Sequence, residues 1–151
     1  MKIFAIEPTN HCTAKCSFCP WPTPQHSRAK GIMPEGVFAA VLRAITSNTV
    51  AINGLGEPLL HKKCDQMVKR FTEQGIKPQL NTNGLLLDQR WYDRLLSAGL
   101  CRLVVTADYH PWGEKQVETS PALPLELYVI TRDEKGHTKK ELDDWAGQIG
   151  R

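Results

Sequence analysis

Short apolar stretches alternate with amphipathic helical stretches along most of this chain, and that alternation most narrows what it can fold into. Strand-like runs fall at residues 3–6, 49–53, 79–81, 103–106 and 126–131, and helical patterns at 34–47, 64–74, 88–98 and 138–148. The first helix takes Pro34 at its opening position and gathers Val37, Val41, Leu42 and Ile45 on one face. The second turns Met67, Val68 and Phe71 inward and stops at Gly75 as its C-cap. The third carries Trp91, Leu95 and Leu96 and stops at Gly99. The fourth opens on Thr138 with Glu141 three residues on, a capping box. Strands alternating with helices imply βα units, a parallel sheet and right-handed crossovers. At 151 residues a single domain, 1–151, is expected.

Composition excludes several classes. Hydrophobic residues make up 41% and charged residues 23%, the proportions of a globular domain. A net charge of +3 argues for neither nucleic acid nor an acidic membrane surface as partner. No apolar run nears the roughly 18 residues of a membrane span. The apolar start of the chain is cut off by Glu7 and Pro8, unlike a signal or transit peptide. The expected location is the cytoplasm, where thiols stay reduced.

Five cysteines are present, and Cys12, Cys16 and Cys19 crowd into one short segment. In a reducing compartment this spacing points to metal or catalysis rather than disulfides. A structural zinc ion wants four ligands, and no partner pair follows downstream. Three thiolates on a four-iron cluster would leave one iron without a protein ligand, as a catalytic centre requires. Cys64 and Cys101 read as small buried apolar residues. The five histidines, His11, His26, His61, His110 and His137, are scattered and read as mostly solvated.

In parallel α/β folds the working loops leave the C-terminal ends of the strands. Every unusual motif lies there. The first strand runs into the cysteine loop, the second into Gly54-Leu55-Gly56-Glu57-Pro58, the third into Asn81-Thr82-Asn83-Gly84 and the fourth into Thr106-Ala107-Asp108. Taken alone, Gly54, Gly56 and Pro58 could be only a strand-to-helix turn. Asn81, Asn83 and Asp108 could equally serve turns or strand ends.

The run Glu7-Pro8-Thr9-Asn10-His11-Cys12, continued by Cys16, Phe18 and Cys19, resembles the C-x3-C-x-aromatic-C signature of the radical S-adenosylmethionine (radical SAM) superfamily. The segments Arg28-Ala29-Lys30-Gly31-Ile32-Met33, Gly54 to Leu60 and Asn81 to Gly84 resemble the same superfamily, in the branch with SPASM or twitch extensions. The resemblance implies an open partial (β/α) barrel of about five parallel strands with helices on the outer face. It implies that Cys12, Cys16 and Cys19 bind a [4Fe-4S] cluster whose fourth iron is chelated by S-adenosylmethionine (SAM). Phe18 would lie near the adenine. Gly54, Gly56 and Glu57 would hold the methionine amino group, the glycines by close backbone approach and Glu57 by charge. Asn81, Asn83, Thr106 and Asp108 would be further cofactor contacts. Reductive cleavage of SAM would give a 5′-deoxyadenosyl radical that takes hydrogen from a substrate.

Against the usual six βα units, about five strands are counted here, and the stretch 109–124 shows no clean helical period. No cysteine follows Cys101, which argues against SPASM-type auxiliary clusters. The expected partners are a flavodoxin- or ferredoxin-like one-electron reductase and a peptide or small-molecule substrate. A second copy or another protein, or residues 109–124 with Trp112, would cover the open side. The rival reading is an iron–sulfur electron-transfer module of the same descent without substrate chemistry.

Overall fold

A computed structural model describes residues 3–14, 19 and 28–106, together with the backbone strand at 126–130. It contains β1 (Ala5–Ile6), α1 (Glu35–Ala44), β2 (Thr49–Ile52), α2 (Cys64–Glu73), β3 (Lys77–Thr82), α3 (Gln89–Ser97), β4 (Arg102–Thr106) and β5 (Glu126–Ile130). The strands form one sheet in the order β1-β2-β3-β4-β5, every neighbouring pair parallel. Sequential order with one helix between successive strands from β1 to β4 is the winding of an open partial (β/α) barrel. The expected helix at 138–148 and the stretch 109–124, with Trp112, lie outside the described residues.

Alternation along the strands separates two faces. Ile6, Val50, Ile52, Leu80, Leu103 and Val105 are buried against Phe38, Leu42, Met67, Val68, Phe71, Tyr92 and Leu95 of the helices. Burying a large apolar side chain is worth about 1.5–3 kcal/mol, so this seam is the main stabilising term. Phe38 and Phe71 meet edge-to-face, ring centroids 5.3 Å apart, at its centre. The Arg70 guanidinium lies 4.8 Å from the Phe38 ring and pairs with Glu35, joining α1 to α2. Arg94 stacks on Trp91 and grips Asp65 with two nitrogens, at 3.0 and 2.8 Å, joining α3 to α2. No helix among the described residues is long and apolar enough to cross a membrane.

Helix ends follow local chemistry. Asp88 caps α3, its side chain accepting from the Trp91 amide at 2.7 Å. Gly75 and Gly99 take φ +73° and +87° and close α2 and α3 in the same way. After α2, the amides of Gly75 and Ile76 reach back to Thr72 and Phe71; after α3, those of Gly99 and Leu100 reach Leu96 and Leu95. This is the Schellman pattern, which satisfies carbonyls that the helix leaves over.

Several expectations are corrected. Pro34 is the N-cap of α1 rather than its first residue, and the helix stops at Ala44 instead of running to Ser47. The buried face of α1 is Phe38 and Leu42, whereas Val37 is 50% exposed. β3 begins at Lys77 and takes Pro78 into a central strand. Proline brings no amide there, but its carbonyl accepts from the Cys101 amide at 3.1 Å and the Cys101 thiol at 3.0 Å. Cys101 is accordingly half-buried and hydrogen-bonded rather than a buried apolar residue. Cys64 is fully buried, and burial pushes its thiol far up, so it stays protonated.

Candidate functional site

The cysteine loop is clamped at its base. It leaves β1 through Pro8, Thr9 and Asn10 and returns at residues 28–33. The Pro8 carbonyl accepts from the Met33 amide at 2.7 Å, and Thr9 forms an antiparallel bridge with Ile32. Thr9 Oγ1 donates to the Gly31 carbonyl at 2.8 Å. The Asn10 carboxamide donates to the Ala29 carbonyl at 2.9 Å and accepts from the Gly31 amide at 2.7 Å. Thr9 and Asn10 are both buried, so each of these bonds replaces water that the side chain has lost. Both stand in the run that leads to Cys12, but neither was given a role from the sequence; the available signal was a pair of polar residues separated from Cys12 only by His11, on the cysteine-loop side of a strand. His61, expected to be solvated, is buried beside this clamp. Its Nδ1 accepts from the Lys63 amide at 3.2 Å, which leaves Nε2 to carry the proton toward the Met33 carbonyl, 3.4 Å away.

The glycines after β2 lie close against the root of the cysteine loop. A Cβ on Gly56 would stand 2.0 Å from the Thr9 carbonyl oxygen and 2.7 Å from that of His11. A Cβ on Gly54, whose φ is +155°, would meet the Glu7 side chain at 2.5 Å. Glu7 in turn accepts from the Leu55 amide at 2.7 Å and from Arg28 at 2.8 Å. The close backbone approach inferred from the sequence is real, but in this structure the approaching group is the root of the cysteine loop.

Glu57 sits at the junction of three loops and is 1% exposed. Its amide donates to the His11 carbonyl at 2.7 Å. Its Oε1 accepts from the Leu59 amide at 3.0 Å and from Thr82 Oγ1 at 2.7 Å, and its Oε2 accepts from the Asn83 amide at 2.8 Å. Burial pushes this carboxyl above its ordinary value, while the Leu59, Asn83 and Thr82 donors pull it back. The charge that the sequence suggested for an ammonium group is thus directed inward, onto donors of the chain itself. Thr82 was not singled out, although it follows the buried position Leu80 by two and so faces the same side.

The end of the third strand delivers Asn83 to Cys12. Its Nδ2 donates to Cys12 Sγ at 3.6 Å and to Thr13 Oγ1 at 3.2 Å, while its Oδ1 accepts from the Leu85 amide at 3.0 Å. Cys12 and Cys19 are half-buried thiols. Cys16, Phe18 and Asp108 lie outside the described residues. Asn81 and Thr106 are half-buried and alternate with Leu80, Thr82 and Val105, on the sheet face opposite the helices. The structure therefore brings Cys12, Gly54, Gly56, Glu57 and Asn83 into one assembly at the C-terminal end of the sheet. It gives Asn81 and Thr106 no hydrogen bond to that assembly among those described.

A parallel, sequentially wound sheet whose first three strand ends converge on a cysteine loop defines the class. The chain belongs to the radical SAM superfamily, whose family model matches residues 6–110. It is 29% identical over 113 residues to the GTP 3′,8-cyclase of Aquifex aeolicus, a match covering 70% of this chain and 35% of that protein. It is 31% identical over 106 residues to a probable GTP 3′,8-cyclase of Methanocaldococcus jannaschii, covering 68% of this chain and 35% of the relative. The chain thus spans about a third of the length of these curated relatives. Among solved structures, BtrN in complex with AdoMet and 2-DOIA shares the fold, with a TM-score of 0.67 at 21% identity over 85% of this chain and 56% of BtrN.

Proposed function

We propose that this chain is a radical SAM enzyme in which Cys12, Cys16 and Cys19 hold three irons of a [4Fe-4S] cluster and SAM completes the coordination of the fourth. The observation that carries this reading is Cys12 itself: a half-buried thiol at the sheet's C-terminal end, with a fixed carboxamide donor on its sulfur. Thiolates are the soft ligands that iron–sulfur clusters take, and donors to the ligand sulfur are a usual part of such sites. Superfamily membership and the presence of AdoMet in the BtrN complex support the choice of cofactors.

When bound, these two cofactors supply one-electron cleavage of a sulfonium C–S bond and, from it, a 5′-deoxyadenosyl radical for hydrogen abstraction. The chain's residues position and enclose. Gly54 and Gly56 let the β2 exit pack on the root of the cysteine loop, and Glu57 ties that exit to β3. Asn81 and Thr106 offer an amide and a hydroxyl to polar groups of SAM or substrate. Phe18 and Asp108 serve the adenine and ribose. A flavodoxin- or ferredoxin-like protein of the cytoplasm supplies the electron, and the substrate is a peptide or small metabolite.

The test is anaerobic reconstitution followed by a 5′-deoxyadenosine assay under strong reductant. About four iron per chain are expected, lost in Cys12→Ala, Cys16→Ala and Cys19→Ala and kept in Cys64→Ala and Cys101→Ala. Full iron loading of Cys16→Ala overturns the ligand set. A loaded cluster that leaves SAM intact makes the chain an electron-transfer module instead.

A further inference from the structure

We propose that Asn83 sets the reduction potential of the cluster held by Cys12, and that the buried Glu57 positions it to do so. The inference rests on the function proposed above. Four links close a ring. Cys12 follows His11 in the chain; the His11 carbonyl accepts from the Glu57 amide at 2.7 Å; Glu57 Oε2 accepts from the Asn83 amide at 2.8 Å; and Asn83 Nδ2 returns to Cys12 Sγ at 3.6 Å.

The orientation of the carboxamide is determined within this network. Oδ1 accepts from the Leu85 amide at 3.0 Å, so the other end of the group must be the NH2. Its two protons serve Cys12 Sγ and Thr13 Oγ1. A turn alone would need only the Oδ1 bond, which aspartate makes equally well. The donors toward Cys12 Sγ and Thr13 Oγ1 are what require asparagine. Glu57 is too deeply buried to reorganise, and its Oε2 fixes the Asn83 backbone from which that donor projects.

The consequence follows from charge. Reduction adds one electron to the cluster and raises the electron density on its thiolate ligands. A hydrogen bond to a ligand sulfur stabilises that added charge and raises the potential. Asn83 is therefore a positioning and tuning residue, and it favours acceptance of the electron from the external reductant.

The experiment is a mediated redox titration of the reconstituted protein, followed by visible and electron paramagnetic resonance spectroscopy, on wild type, Asn83→Asp and Asn83→Leu. Aspartate keeps the Leu85 bond and the turn but loses the donor and adds a charge. Leucine removes donor and acceptor together. Both variants should load iron as wild type does. At a fixed poise the reduced-to-oxidised ratio should fall by up to about tenfold in Asn83→Leu, a midpoint about 59 mV more negative for one electron. It should fall further in Asn83→Asp. Loaded variants with the wild-type midpoint overturn this inference and leave the proposed function standing. A wild-type chain that assembles no cluster overturns both. If the variants fail to load, wild type with 15N-labelled asparagine decides by electron–nuclear double resonance of the reduced cluster. A 15N coupling supports the Asn83–Cys12 bond, and its absence overturns it.

Discussion

Thr82→Val isolates the hydroxyl that connects β3 to the buried carboxyl. Thr82 Oγ1 donates to Glu57 Oε1 at 2.7 Å and accepts from the Gly84 amide at 3.0 Å, in a buried setting. Valine has nearly the same shape and neither bond. A hydrogen bond to a charged acceptor is worth about 1.5–3 kcal/mol. A chain of this size loses about 2–4 °C of Tm per kcal/mol, so the expected drop is about 3–12 °C. The pH dependence gives a second handle. Burial holds the Glu57 carboxyl above its ordinary value, so the folded state binds its proton more tightly than the unfolded chain does. The group's contribution to stability is full below the ordinary carboxylate value and falls as pH rises through the raised one. The Thr82 hydroxyl is one of the donors opposing that rise. Without it the fall is steeper, and the gap between variant and wild type widens with pH. Thermal melts followed by circular dichroism from about pH 4 to about pH 8 measure both effects. An unchanged Tm, or a gap that narrows as pH rises, refutes the reasoning.

Two further outcomes test the clamp on the cysteine loop by the same melts. Gly56→Ala puts a Cβ 2.0 Å from the Thr9 carbonyl oxygen, backbone that cannot swing away, and should cost about 3 kcal/mol or more. Gly36→Ala is its control: it lies within α1 with nothing within 4 Å of the added Cβ, and should stabilise by about 0.4–1 kcal/mol. Asn10→Leu leaves the Gly31 amide and the Ala29 carbonyl without their side-chain partner and should cost about 1–3 kcal/mol.

The parallel βα order, the stops at Gly75 and Gly99 and the motifs at the strand ends were legible in the sequence because each depends on residues a few positions apart. A C-cap glycine is required by the φ of one residue, and a strand or helix face by a period of two or 3.6. The same local rule misled where neighbouring apolar residues compete for one face. Val37 and Phe38 are adjacent, and only the packing of Phe38 on Phe71 decides that Phe38 goes inside. The site shows the limit more sharply. That Gly54, Gly56, Glu57, Asn83 and Cys12 belong together could be read from their places at strand ends. Which way each one faces could not. The direction of Glu57 is set by Thr82 and Asn83, 25 and 26 residues away, and the contact between Asn83 and Cys12 spans 71. A buried carboxylate turns toward whatever donors the fold brings to it, because an unpaired one would cost far more than any local preference can supply. Sequence therefore determines which residues meet at the end of the sheet, and tertiary packing alone decides that the glutamate holds the protein while the asparagine faces the cysteine.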